Sequence, residues 1–412
     1  MSINRKKKNG MTSMPSGILA LGFVSMLTDL SSELIFSLLP VFLVSVLGTN
    51  ALVIGLIEGF AESIALLIRI FSGMYSDYLG KRKTLAIFGY SFSALSKPLF
   101  ALATNIGMVF LARFLDRIGK GMRGSPRDAL IADIAPDNQY GAAYGLRQSL
   151  DTVGAIIGPL LALVLMIIWN NNFQAVFWVA VIPGVLSVLV LILFVQEPVK
   201  PASAKPINPI QPKEIKKLSH AYWYVVIIGA IFTLARFSEA FLLLRAYQVG
   251  SPITWVPLIL VVMYLMYSVS AYPFGKLADT INHGKLLIIG LFILITADLI
   301  LAFSHSLMFI YIGSCLWGLH MGATQGLLAA MVAGTAPDDL RGTAFGFFHF
   351  ICGIATLIAS LLAGLLWDSF GSVFTFFNRS IILCCMLIGD RLNAKNHCQN
   401  LKNGLGTKTS IF

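Results

Sequence analysis

Gly73-Met74-Tyr75-Ser76-Asp77-Tyr78-Leu79-Gly80-Lys81-Arg82-Lys83 closes an apolar run that begins near residue 51 and precedes another that begins near residue 84. Gly73 permits close helix approach, Asp77 can cap a helix or pair with a cation, and Gly80 allows a turn before a basic cluster at a membrane face. A degraded copy follows about two hundred residues later. Gly73 and Asp77 recur as Gly275 and Asp279, an offset of 202, and Ala135-Pro136-Asp137 with Gly141 and Gly145 recurs as Ala336-Pro337-Asp338 with Gly342 and Gly346, an offset of 201. The chain therefore repeats itself.

Apolar stretches of about 20 residues or more, enough to cross a bilayer, run over 17–47, 51–74, 84–103, 106–134, 141–168 and 173–195, and again over 221–247, 254–277, 285–304, 306–335, 342–367 and 372–389. Six precede a Pro- and Lys-rich segment, 197–220, and six follow it. Since six is even, both halves insert the same way up, as a parallel repeat about an axis along the membrane normal. The predicted fold is an all-α membrane protein of twelve transmembrane helices in two six-helix bundles, with an N-terminal bundle over 1–196, a cytoplasmic linker over 197–220, a C-terminal bundle over 221–390 and a cytoplasmic tail over 391–412. The twelfth span is the weakest, interrupted by Asn378 and Arg379.

Composition agrees. Of 412 residues, 57% are apolar and 12% charged, against about 25% charged in soluble domains, so a soluble or disordered chain is excluded. The 30 Lys and Arg outnumber 19 Asp and Glu, but the surplus is sorted by side and does not suggest nucleic acid. The connections at 48–50, 104–105, 169–172, 248–253, 305 and 368–371 carry no Lys or Arg, whereas the opposite side holds Arg5 to Lys8, Lys81 to Lys83, the linker, Lys285, Arg341 and the tail. Both termini are expected in the cytoplasm of a plasma membrane protein, the inner membrane if the source is bacterial. The first apolar run is too long for a secretory signal and lacks its cleavage site. Cys315, Cys352, Cys384, Cys385 and Cys398 form no CxxC pair and read as buried packing residues.

With these features in place, the chain resembles a transporter of the major facilitator superfamily, over nearly its whole length. The loop signature is matched at Gly73, Asp77, Gly80, Arg82 and Lys83, and the resemblance implies that these residues latch the cytoplasmic side. The second copy, with Asp279, Gly284 and Lys285, has lost its basic triplet. Gly154-Ala155-Ile156-Ile157-Gly158-Pro159 is similar to the start of a glycine-rich motif of proton-coupled antiporters in that superfamily. Leu160 to Leu163 replace its second glycine pair, and small residues four apart also serve simply to pack helices.

Ionisable residues within the spans carry the functional expectation. Asp29 and Glu33 in span one, and Glu58 and Glu62 in span two, are spaced i, i+4, so each pair shares a helix face. All four lie roughly 10 to 25 Å from a membrane surface, where an ionised group facing lipid costs about 2.5 to 3.5 kcal/mol. They must face water, a cavity or cations. Span four supplies Arg113, Arg117, Lys120, Arg123 and Arg127 with Asp116 and Asp128, and span five pairs Arg147 with Asp151. Eight cations of this half, Arg69 and Lys97 included, meet eight carboxylates, Asp133 among them. That balance favours a paired network over a positively charged binding site. Arg113, about 10 Å from its helix end, could tune a neighbouring carboxylate as the halves rock.

The expected proton-coupling set is Asp29, Glu33, Glu58, Glu62 and Arg113, and the charge network is Asp116, Arg117, Arg147 and Asp151. The second half has fewer central charges, so Arg236, Glu239, Tyr264, Tyr267, His320, Gln325 and His349 are expected to line a substrate path. No phosphate-binding loop or hydrolase motif is present, and nothing calls for a metal or cofactor. The expectation is no enzyme but a monomeric secondary transporter that moves a small molecule by alternating access, proton-coupled, with export favoured. Proton-coupled uptake of a nutrient or siderophore, and a non-transporting membrane sensor of the same fold, are the alternatives.

Overall fold

The computed structural model describes residues 14–79, 81–136, 139–197, 218–234, 236–278, 281, 283–335 and 341–406. Gly80, Asp279, linker residues 198–217 and the basic N-terminal cluster lie outside the described residues, as do the side chains of Asp77, Gln325 and Arg379.

Among the described residues the chain is helical throughout. In the first half run α1 (Ser16–Phe36), α2 (Leu39–Ser45), α3 (Ala51–Leu79), α4 (Arg82–Ala101), α5 (Ile106–Ile134), α6 (Tyr140–Ile168) and α7 (Phe173–Phe194). In the second run α8 (His220–Leu234), α9 (Ala240–Gln248), a short 3-10 turn (Ile253–Trp255), α10 (Leu258–Ala278), α11 (His283–Phe303), α12 (Leu307–Thr335) and α13 (Arg341–Gly406). Local chemistry sets the breaks. Pro40, without an amide hydrogen, sits in the first turn of α2 and separates it from α1. Asn105 and Asn172 cap α5 and α7, their side chains accepting from the amides of Met108 and Ala175 at 3.0 and 3.1 Å. Within α13, Gly371 takes φ +84° and breaks the helical path, a conformation that glycine enters without steric cost.

Eight helical stretches among the described residues are long and apolar enough to cross a membrane, fewer than the twelve expected. The shortfall has physical causes. Helix α5 carries the cationic stripe and α4 is polar, expected span seven is split into α8 and α9, and the last two expected spans run together across Gly371.

Helices before residue 198 pack mainly on one another, α4 on α5 and α7, α1 on α6 and α7, and α3 on α5. Those after 217 do likewise, α12 on α10 and α11, and α13 on α8 and α11. The two sets meet along α3 against α13, α6 against α10, and α2 against α9. Among the described residues three apolar cores result. Two are confined to one set each, around Ile18, Leu21, Tyr90 and Leu130 in the first and Tyr222, Val226, Val332 and Phe348 in the second. The third joins both sets, with Leu38, Phe42 and Phe177 in the same cluster as Phe241, Trp317 and Phe376.

Lipid tails are as apolar as leucine, so helices in a bilayer associate through close packing more than through the hydrophobic effect. The Gly154 and Gly158 pair illustrates this. A Cβ on Gly154 would collide with the backbone of Met26, and one on Gly158 would lie 2.8 Å from Glu33 Cβ and 3.0 Å from the Leu30 carbonyl. These glycines therefore let α6 lie against α1. At Gly145, earlier on the same helix, a Cβ would meet nothing within 4 Å. Gly154→Leu is accordingly expected to lower stability by about 1 to 3 kcal/mol through overpacking, seen as a lower melting temperature in detergent, while Gly145→Leu leaves it unchanged or higher.

Candidate substrate and proton cavity

A cavity of about 740 Å³ lies between the two sets of helices, within the range of small-molecule sites. Its wall is charged on the side of the first half and largely aromatic and apolar on the other.

Helix α1 contributes Asp29 and Glu33, one turn apart and both lining the cavity. Helix α3 contributes Glu58 and Glu62, and α5 answers them. Arg113 Nη2 donates to Glu58 Oε2, Arg117 Nη1 lies 2.8 Å from Glu62 Oε1, and Lys120 Nζ stands 3.8 Å from the same oxygen. Phe36, at the end of α1, collects three cations on its ring, with centroid distances of 3.6 Å to Arg113, 4.9 Å to Arg117 and 5.1 Å to Lys97. Behind them, Lys97 and Asp116 form an almost fully buried pair at 2.9 Å, and Lys97 also donates to Ser32 Oγ at 3.0 Å.

Further along, Arg147 and Asp151 meet at 2.6 Å across one turn of α6. Asp128 binds Arg127 and Arg69, each at 3.0 Å. Arg123 has no carboxylate within ion-pair distance among the described residues; it donates to Ser93 Oγ and lies 5.0 Å from the Tyr90 ring centroid. Asp29 and Glu33 likewise have no cation within ion-pair distance among the described residues. Glu33 instead receives the Tyr264 hydroxyl at 3.3 Å, and the same hydroxyl lies 3.1 Å from Glu239. Glu239 also stands 3.5 Å from Arg236. Thus α1, α10 and the junction of α8 with α9 converge on one polar spot where the two halves face each other.

Of the residues expected to line a substrate path, Arg236, Glu239, Tyr264, Tyr267 and His349 do face the cavity. His320 does not. It is fully buried, its Nδ1 2.8 Å from the Gly290 carbonyl and its ring stacked on Phe232 at 5.3 Å, so it binds α12 to α11, while the adjacent Met321 and Thr324, one turn on, reach the cavity. In the loop signature, a Cβ added at Gly73 would lie 3.2 Å from Ser125 Cβ, so the glycine lets α3 pass close to α5. Arg82 holds Asp133 at 2.6 Å and the Ala129 carbonyl at 2.9 Å, and Lys83 donates to the Ile192 carbonyl at 2.9 Å. These partners all belong to the first half. Lys97 and Phe36 were not among the expected site residues. A lysine inside an apolar stretch signals a buried partner, but sequence does not say which; Phe36 gives no signal at all.

The model for the Major Facilitator Superfamily matches residues 21–257 and 240–389. The chain belongs to this superfamily. Its fold is the all-helical fold of that family, and it is a transporter, not an enzyme. An MFS-type transporter of Methanocaldococcus jannaschii is 32% identical over 370 residues, 88% of this chain and 91% of the relative. The quinolone resistance protein NorA of Staphylococcus aureus is 26% identical over 243 residues, 58% of this chain and 60% of NorA. Among solved structures, a bacterial homologue of the human lysosomal transporter Spinster, inward-facing and unoccupied, has a TM-score of 0.71 at 14% identity, covering 89% of this chain and 94% of that one. The nucleoside transporter NupG has a TM-score of 0.76 at 11% identity, covering 90% and 99%. At such identities the structures share the fold.

Breaking a buried ion pair from one side leaves an uncompensated charge, which costs about 3 to 5 kcal/mol, whereas neutralising both partners is far milder. Lys97→Met and Asp116→Asn should therefore each lower the melting temperature in detergent substantially, and the double variant should recover most of the loss.

Proposed function

We propose that the chain is a twelve-span secondary transporter, its spans in two six-helix bundles over 1–196 and 221–390 joined by a cytoplasmic linker and followed by a cytoplasmic tail, and that proton movement through Asp29 and Glu33 drives a small solute across the membrane by alternating access. One observation carries the coupling. Four acids on α1 and α3 line the cavity, but Glu58 and Glu62 are held by Arg113 and Arg117, while Asp29 and Glu33 have no cation within ion-pair distance among the described residues.

A carboxylate locked to a guanidinium stays ionised over the physiological range. One that faces a cavity without such a partner can change its protonation as water and charges are rearranged around it. In this reading Arg113, Arg117, Arg147, Asp116 and Asp151 form the fixed frame, and Asp29 and Glu33 are the moving part. Glu239, Arg236, Tyr264, Tyr267 and His349 meet the solute. The link from Glu33 through Tyr264 to Glu239 gives proton and solute a common point.

The distribution of Lys and Arg favours cytoplasmic termini in a plasma membrane. The similarity to the quinolone resistance protein NorA, together with Gly154, Gly158 and Pro159, favours export over uptake, and a monomer is enough to enclose the cavity.

Vesicles containing the purified protein, with an imposed pH gradient and a fluorescent quinolone as probe solute alongside a panel of amphiphiles, test the coupling. Saturable, gradient-driven flux is expected, and Asp29→Asn with Glu33→Gln should reduce it at least tenfold while exchange of solute without a gradient persists. Full gradient-driven flux in the double variant would remove the assignment. Absence of any solute flux across the panel, with charges at Asp29 and Glu33 dispensable for the protein's cellular role, would favour the sensor.

A further inference from the structure

At connections that lack Lys and Arg, the two halves are tied by side chains. Asp368, in the connection between the two segments of α13, reaches the start of α3 in the other half. Its Oδ1 accepts the Ala51 amide at 3.0 Å and its Oδ2 accepts the Leu52 amide at 2.9 Å. The first amides of a helix have no partner within the helix, and an anion there also meets the positive end of the helix dipole. An acceptor supplied by the other half of the molecule is therefore doubly suited to this place.

The contact is more than a chance meeting of exposed groups, because the backbones on both sides are shaped for it. A Cβ on Gly364, one turn before Asp368, would lie 2.7 Å from the Ala51 carbonyl and from Leu52 Cα, and a Cβ on Gly55 would collide with the Ser360 carbonyl. The two helices thus touch backbone to backbone just below the cap. A second tie joins the halves through other helices: Thr254 Oγ1 donates to Asn171 Oδ1 at 2.8 Å, with Asn171 held at φ +65°. The core shared by both halves takes in Leu38, Phe42, Phe241 and Leu242 and runs through the second half as far as Leu286 and Leu287, next to Lys285, while two further cores stay within one half each.

From this arrangement we infer that Asp368 is a detachable latch: its carboxylate caps α3 across the gap between the halves, holds the face remote from the basic connections shut, and must let go when that face opens. The bond suits a latch because Asp368 is exposed. On release, the carboxylate is rehydrated and only the two α3 amides need water, so the closed state is favoured modestly and reversibly. Asn50 provides a built-in comparison. Its Oδ1 accepts the Val53 amide at 3.1 Å, so it caps the same helix end from within the same half and does not bridge the gap.

Spin labels on a cysteine-free background, at Thr104 and Ser306 for the latched face and at Lys81 and Lys285 for the basic face, report the opening of each side by electron-electron distance measurement. Asp368→Ala should raise the population with long distances on the latched face by roughly tenfold, the order expected for losing two bonds to an ionised cap, and shorten those on the basic face. Asp368→Asn, with one carbonyl acceptor and no charge, should fall between. Asn50→Ala should leave both distributions in place. Unchanged distributions in both Asp368 variants overturn the latch, as does an equal shift in Asn50→Ala, which would mean that fraying of α3 and not the cross-half bond sets the balance. The readout involves neither solute nor pH gradient, so proton coupling through Asp29 and Glu33 can fail without affecting it, and the reverse.

Discussion

The structure of the first half depends on placing five cations on one helix within an apolar environment. Arg113, Arg117, Lys120, Arg123 and Arg127 follow one another along α5, and none can be left facing lipid without a cost of a few kcal/mol. Each must find a carboxylate, an aromatic face, a hydroxyl or water. That requirement draws α3 to α5 through Glu58 and Glu62, brings the end of α1 over them through Phe36, and ties α5 to α4 through the buried Lys97 and Asp116 pair. Buried ion pairs contribute little net stability once desolvation is counted. What they set here is the order and register of the helices, since a slip of one residue would strand several charges at once.

The second half solves the same problem with almost no counter-charges. Arg245 is buried, and its donors go to the carbonyls of Leu301, Ala302 and Ser304 and to Gln248 and Ser372. It satisfies the otherwise unpaired carbonyls where α11 ends and joins that end to α9 and to the break in α13. A cation satisfied entirely by neutral oxygens fixes geometry without taking part in a charge network. The two halves share a fold and differ in electrostatics, one rich in ion pairs around the cavity wall and the other supplying aromatic and small polar surface.

Packing is uneven as well. One core joins both halves and reaches Leu286 and Leu287 beside Lys285, while two others stay within one half each. Close backbone approach at Gly55 and Gly364 accompanies the contact of Asp368 with the start of α3. Small residues of this kind allow two surfaces to meet tightly without interdigitating long side chains, so they can also part without unpicking a jigsaw. Within each half, by contrast, the glycines of α6 seat it on α1 in a contact that has no reason to open.

The sequence alone determined the apolar spans, the internal repeat, the sorting of basic residues and the presence of acids and cations at membrane depth, because each follows from composition or period along a single segment. Asp29, Glu33, Glu239 and Tyr264 were recognisable for the same reason: polar groups in apolar runs stand out. Sequence could not assign partners. That Glu58 belongs to Arg113 while Asp29 pairs with no cation among the described residues, that His320 turns into α12's packing surface instead of the cavity, that Phe36 carries three cations and that Asp368 caps a helix more than three hundred residues away were decided by tertiary structure. Pairing depends on distances between helices, and those distances are set by the packing of every side chain between them, a quantity that no single segment contains.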